Sequence, residues 1–158
     1  MHSRILRPIQ AAPCCCWAEA TSVDVKNRFH TDETWLLMRA EHIALLAALC
    51  ALIAIHAMEV HWWRFIVAFS VIDLVGYIPG TIVYRRQGGG RISPIYHWLY
   101  NVTHSYLTAG VAVAIWTLRT GRWEWAMLAI PIHLLGDRGL FGNVYKPVEL
   151  SFEPVSHE

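Results

Sequence analysis

Charge is scarce in this chain: 13 Lys and Arg against 12 Asp and Glu in 158 residues, a net charge of +1. So small an excess exerts no long-range pull on polyphosphates, and the Arg residues fall between apolar segments instead of on one basic face, which sets nucleic-acid binding aside. Cysteine is scarce too. Of four, Cys14, Cys15 and Cys16 are adjacent and Cys50 sits in an apolar run. No pair has the separation of a disulfide framework or a zinc knuckle, because neighbouring cysteines cannot easily supply a tetrahedral site from one short segment. The triplet reads as an incidental or lipidated patch. Residues 1–34 mix Arg, Pro, Asp, Glu and Lys without a long apolar run, so a disordered tail and no signal peptide are expected there. What the chain has in excess is apolar surface. Hydrophobic residues make up 55%, Trp occurs eight times, and this is the composition of a membrane protein.

Four stretches have the character of membrane spans. The first, at about 35–58, carries the unbroken run Ile43 to Ile55. The second, at about 62–84, contains Gly76-Tyr77-Ile78-Pro79-Gly80, which should kink its last turns. Arg85 to Arg91, with Gly88-Gly89-Gly90 in its middle, ends it as a basic linker. The third, at about 94–118, opens with Ser93 as N-cap and Pro94 at the first helical position. The fourth, at about 123–140, is short for a span and interrupted by Pro131 and Gly136. Trp62, Trp63, Trp116, Trp123 and Trp125 gather at the two short turns as an aromatic belt would. The side shared by both termini and the middle loop holds Lys26, Arg28, Arg39, Arg85, Arg86, Arg91, Arg138 and Lys146, against Arg64, Arg119 and Arg122 opposite. The positive-inside rule therefore puts both termini in the cytoplasm. The expectation is an all-α integral membrane bundle of four transmembrane helices over residues 35–142, with a tail at 143–158.

Polar side chains inside such spans are costly and mark a functional site by default. At about 1.5 Å rise per residue, His42 lies roughly 9 Å from the cytoplasmic end of the first helix, Tyr77 and Asp73 roughly 10 and 16 Å up the second, Asn101 and His104 roughly 9 and 13 Å into the third, and Asp137 and His133 roughly 5 and 10 Å into the fourth. Faces agree as well as depths, because Asp73 with Tyr77, Tyr100 with His104, and His133 with Asp137 are spaced four apart. Neutral imidazoles with carboxylates suit a first-row metal such as zinc, iron or manganese, with His42, His104 and His133 as candidate ligands. Without metal, the same groups could do acid/base work. A third option is haem between His42 and His104. Against all three stands the bland reading, in which buried His, Asp and Asn are only interhelical hydrogen bonds. Weaker signals are His56, Glu59 and His61, read as interfacial, and Asn101-Val102-Thr103, whose glycosylation pattern lies inside a span and is discarded.

The order Asp73-x-x-Gly76-Tyr77, then Tyr100-Asn101-x-x-His104, then His133-x-x-x-Asp137-Arg138 with a following Gly and Lys, resembles the small bacterial membrane proteins grouped as domain-of-unknown-function family 4260. The likeness covers roughly residues 38–146. It implies a four-helix membrane protein in which Asp73, Tyr77, Tyr100, Asn101, His104, His133, Asp137, Arg138 and Lys146 share a role, and it brings no reaction. After Arg138 the run Gly-Leu-Phe-Gly-Asn-Val-Tyr-Lys is longer than the compact Gly-Tyr-Gly-Leu-Lys run of that pattern.

The reading is a cytoplasm-facing His/Asp/Asn pocket in the inner membrane, surrounded by membrane lipids. The leading function is a membrane-embedded enzyme acting on a lipid-soluble small molecule. Asp73, His104, His133 and Asp137 would be catalytic, and Tyr77, Tyr100, Asn101 and Arg138 would contact substrate. The alternative is a non-catalytic accessory subunit or small carrier whose polar cluster is glue.

Overall fold

The computed structural model describes residues 31–153. Cys14, Cys15, Cys16 and nearly all of the expected N-terminal tail lie outside the described residues. All regular structure among the described residues is helical. The first helix, α1, spans Asp32–Ile55 and so begins earlier than the apolar run suggested, because Thr31 caps it. Thr34 N donates to Thr31 Oγ1 at 3.3 Å and Thr31 N to Thr34 Oγ1 at 2.8 Å, a reciprocal pair that satisfies amides otherwise left open at a helix start. Asp32 and Glu33 complement the dipole there.

Helix α2 (Trp62–Gly76) is followed after Tyr77 by α3 (Ile78–Arg86), the break falling just before Pro79 as the Gly-Tyr-Ile-Pro-Gly run predicts. Together they form a helical stretch of 25 residues, Trp62–Arg86. Gly88, Gly89 and Gly90 then take φ of 73°, 94° and 86°, left-handed backbone that residues with a Cβ rarely adopt, and this ends the helix.

The expected third span is two helices, α4 (Pro94–Thr103) and α5 (Tyr106–Thr120). Ser93 holds the N-cap position of α4 but makes no side-chain capping bond. The interruption after α4 has local and distant causes. Thr103 Oγ1 donates back to the carbonyls of Leu99 and Tyr100, both at 3.0 Å, and Ser105 caps α5 by accepting from Leu107 N at 3.2 Å. The carbonyl of His104, freed by the break, takes a bond from Arg138 Nη2 at 3.1 Å. The expected fourth span is likewise not one helix. A 3₁₀ turn (Trp125–Leu128), α6 (Ala129–Gly136) and a π-helical turn (Asp137–Phe141) follow one another. Asn143 N closes the last of these on Asp137 O at 2.9 Å, and Gly142 leaves it with φ 73°.

The buried groups of α6 are Ala129, His133, Leu134 and Leu135, whereas α1 buries only Ile53. Thus α6 is the centre of the bundle. Leu134 packs with Ile72 of α2 and Ala109 of α5, and the turn before α6 packs with Ala68 through Ala126 and Met127. Helix α1 leans on α6 and the π turn. Arg39 binds the carbonyls of Gly139 and Leu140 at 3.0 and 2.9 Å. Gly139 lies so close to α1 that a Cβ there would stand 2.9 Å from Ile43 Cγ1 and 3.1 Å from Ile43 N. At the opposite end Trp125 stacks on His56 at 3.9 Å and donates to Glu59 at 3.0 Å, while buried Glu124 accepts from Arg64 at 2.5 Å and from Trp116 at 3.1 Å.

Large apolar side chains are exposed on the outer surface, and several ionisable ones are buried in a core that is otherwise apolar. His97, His104, His133 and Arg138 are buried, while Leu36, Leu45, Ile55, Ile66, Leu74, Leu107 and Leu118 are exposed. Two stretches, Asp32–Ile55 and Trp62–Arg86, are long and apolar enough to cross a membrane.

Candidate metal and acid/base centre

Four side chains from four places in the chain meet at one point: Asp73 of α2, His104 at the break between α4 and α5, His133 of α6, and Asp137, the first residue of the π turn. His104 Nε2 lies 3.4 Å from Asp73 Oδ1 and 3.2 Å from Asp137 Oδ2. His133 Nε2 lies 3.5 and 3.8 Å from the same two oxygens. Asp73, His104 and His133 each offer a ligand atom within 4.8 Å of one another.

The protonation of His104 follows from its neighbours. Its Nδ1 is 3.0 Å from Tyr100 O, which can only accept, so Nδ1 carries the hydrogen. In the neutral ring Nε2 then presents a lone pair toward two carboxylates, and neither Nε2 nor either nitrogen of His133 has a hydrogen-bond partner. A lone pair facing a carboxylate oxygen is repelled by it unless a proton or a metal cation lies between them. The dimensions suit one. Ligands at about 2.0–2.1 Å from a tetrahedral ion stand about 3.3–3.4 Å apart, and the four nitrogen–oxygen separations bracket that value. The rings are held by packing: Tyr100 stacks on His104 at 3.8 Å and Phe69 meets His133 edge-on at 4.6 Å. The carboxylates form the open side, since the Asp73 and Asp137 side chains are 41% and 19% exposed against 2% and 4% for the histidines.

Two cavities reach this open side. One, of about 290 Å³, is lined by Leu46, Phe69, Ile132, Leu140 and Phe141 together with Asp73, His133 and Asp137. The other, of about 260 Å³, is lined by Asp73, Tyr77, Tyr100, Asp137, Phe141 and Asn143.

Other expected site residues are placed differently. His42 lines neither cavity; its Nδ1 is 2.7 Å from Met38 O and its ring lies against Tyr106 at 6.2 Å. In the cluster Asp73 stands with His104 and His133 in the place expected of His42. Asn101 binds backbone, donating to Lys146 O at 3.0 Å and accepting from Lys146 N at 2.8 Å. It pins the C-terminal segment to α4. Arg138 bonds His104 O and lies over the rings of Tyr106 and Tyr145 at 4.0 and 5.2 Å. Tyr77 and Tyr100 do line the second cavity.

Residues 143–153 fold back as a clasp. Phe152 is buried against Tyr77, His97 and Tyr100. The Lys146 ammonium donates to Phe152 O and lies 4.4–5.2 Å from the ring centres of Phe152, Tyr100 and Tyr77, and burial holds its pKa below that of a free lysine. Phe141 and Asn143 went unread in the sequence because no spacing rule links a π turn and the loop after it to residues on other helices, whereas Phe69, four residues before Asp73 on α2, shares that residue's face. No protein-family model, curated protein or solved structure matches the chain.

Proposed function

We propose that this is a multi-pass inner-membrane enzyme whose Asp73, His104, His133 and Asp137 hold one divalent first-row metal ion, acting on a lipid-soluble small molecule. The observation that carries this reading is the pair of unpartnered Nε2 atoms facing two carboxylate oxygens at 3.2–3.8 Å. Mixed nitrogen and carboxylate ligands favour zinc, iron or manganese over the hard cations that prefer all-oxygen sites. Accessibility on the carboxylate side leaves room for a substrate oxygen, which a metal would polarise as a Lewis acid. Tyr100 O, by fixing the His104 tautomer, does the work of an outer partner that orients a ligand.

The reading as interhelical glue accounts for Asn101 and Arg138, whose hydrogen bonds are made. For His104 Nε2 and His133 Nε2 the two readings differ in the proton: as glue the rings would be protonated and ion-paired with Asp73 and Asp137, and as a centre they would be neutral and share a metal with them. The four-span topology with cytoplasmic termini rests on the Lys and Arg asymmetry and on the apolar side chains exposed on the outside of the bundle. The resemblance to family 4260 is in keeping with it through the order of the same motif residues.

Elemental analysis of the detergent-purified full chain tests the proposal. About one equivalent of zinc, iron or manganese is expected in the wild type and a small fraction of that in His104→Ala and His133→Ala. A wild type that stays metal-free after incubation with each of the three ions, and whose melting temperature none of them moves, overturns it.

A further inference from the structure

The two cavities at the centre differ in character and share a wall. Leu46, Phe69, Ile132, Leu140 and Phe141 make the first one largely apolar, and two of them, Leu140 and Phe141, are 53% and 73% exposed. Tyr77, Tyr100 and Asn143 give the second its hydrogen-bonding groups. Asp73, Asp137 and Phe141 line both, so the four-residue centre sits where apolar and polar space meet. Each volume is near the lower bound of about 300 Å³ for small-molecule pockets, so each suits one part of a molecule better than the whole of a large one.

The lining also selects the polar part. No Lys or Arg lines the second cavity, and two carboxylates do, which disfavours an anionic head. The Tyr77 hydroxyl and the Asn143 amide are donors that an acceptor oxygen of the head would meet. A cationic head has no unpaired acceptor to meet once the carboxylates are committed to a metal.

We infer that the centre serves a single-chain amphiphile with an uncharged, oxygen-bearing head: the hydrocarbon chain enters from the bilayer into the Leu46/Phe69/Ile132/Leu140 cavity, and the head oxygens occupy the Tyr77/Tyr100/Asn143 cavity. This rests on the metal-centre reading for the exclusion of a cationic head and for the chemistry that follows, but the occupancy of the two cavities and the binding of a metal can fail separately. Binding needs the cavities, and metal content needs only the four ligands.

The test uses the full-length, metal-loaded protein in phosphatidylcholine nanodiscs, with retention of radiolabelled monolaurin as the signal. Saturable retention is expected, displaced by unlabelled monolaurin at least roughly tenfold better than by laurate or dodecyltrimethylammonium, which carry the same chain with charged heads; tenfold is the weight of about one hydrogen bond or uncompensated charge at the head. Leu46→Phe should narrow the apolar cavity and Tyr77→Phe should remove a head donor. Each should weaken retention roughly tenfold while metal content stays at the wild-type level. The wild-type competition alone decides the matter if a variant does not fold. Absence of saturable retention, or preferential displacement by either charged amphiphile, overturns the inference whatever the metal content. Normal retention by a protein that binds no metal would leave this inference standing and remove the metal centre.

Discussion

Replacing Asp73 by Asn gives a change of sign that the metal centre predicts and simple glue does not. Asp73 Oδ1 is 3.4 Å from His104 Nε2 and 3.5 Å from His133 Nε2, and neither nitrogen forms a hydrogen bond. With a metal bound, the carboxylate is a ligand. Without one, it is a charge facing the lone pair of a neutral His104, which the carboxylate of Asp137 faces as well. An amide of the same shape can donate to a lone pair and carries no charge, so in the metal-free protein the substitution should be neutral or stabilising. In the metal-loaded protein it removes a ligand, and the stabilisation by binding goes with it. A site saturated at one hundred times its dissociation constant gains about 2.7 kcal/mol. At about 2–4 °C per kcal/mol for a domain of this size, that is a drop of roughly 5–10 °C. The assay is thermal unfolding of wild type and Asp73→Asn in the same detergent, each with zinc and with a chelator. Chelator should lower the wild type by that amount and leave Asp73→Asn unmoved, with the variant melting at or above the chelated wild type. A chelator-insensitive wild type, or an Asp73→Asn variant that melts lower than the wild type by the same margin with and without zinc, would falsify the reasoning, since either places the value of this carboxylate in scaffolding.

The clasp is tested by Asn101→Ala, which deletes both bonds to the Lys146 backbone and should cost about 2 kcal/mol, read as faster hydrogen exchange at the Lys146 amide; unchanged exchange there means that Asn101 does not hold the segment. Gly139→Ala pushes a methyl to within 2.9 Å of Ile43 Cγ1, and the separation of the π turn from α1 should cost about 1–3 kcal/mol in melting experiments; a silent variant would show that α1 is free to move aside. For orientation, reporters fused at the C-terminus and in the Gly88–Gly90 loop should both be active in the cytoplasm, and periplasmic activity at either site reverses the topology.

What could be read from residue order alone is what local periodicity and solvation dictate. A chain with these apolar stretches makes helices, and Pro79, the three glycines at 88–90 and Pro94 set several of their limits through backbone chemistry that needs no distant partner. The four-residue spacing of His133 and Asp137, and the cost of burying Asp73, singled out three of the four side chains that meet at the centre, and His104 was singled out by depth. Tertiary structure decided the rest. Whether a helix continues past Thr103 depends on who receives the carbonyl of His104, and that is Arg138, 34 residues away in sequence. Because of that break, His104 lies at the end of a helix and not in the middle of one. Asn101 and Arg138 look like substrate-binding groups on a helical wheel but are committed to backbone, and His42 shares the depth of the cluster without joining it, its Nδ1 lying against the carbonyl of Met38 on its own helix. Depth and face along one helix are properties of that helix; which faces meet, which polar atoms are satisfied and where a cavity remains are set only by the packing of α6 among its neighbours and by the clasp that folds back over α4.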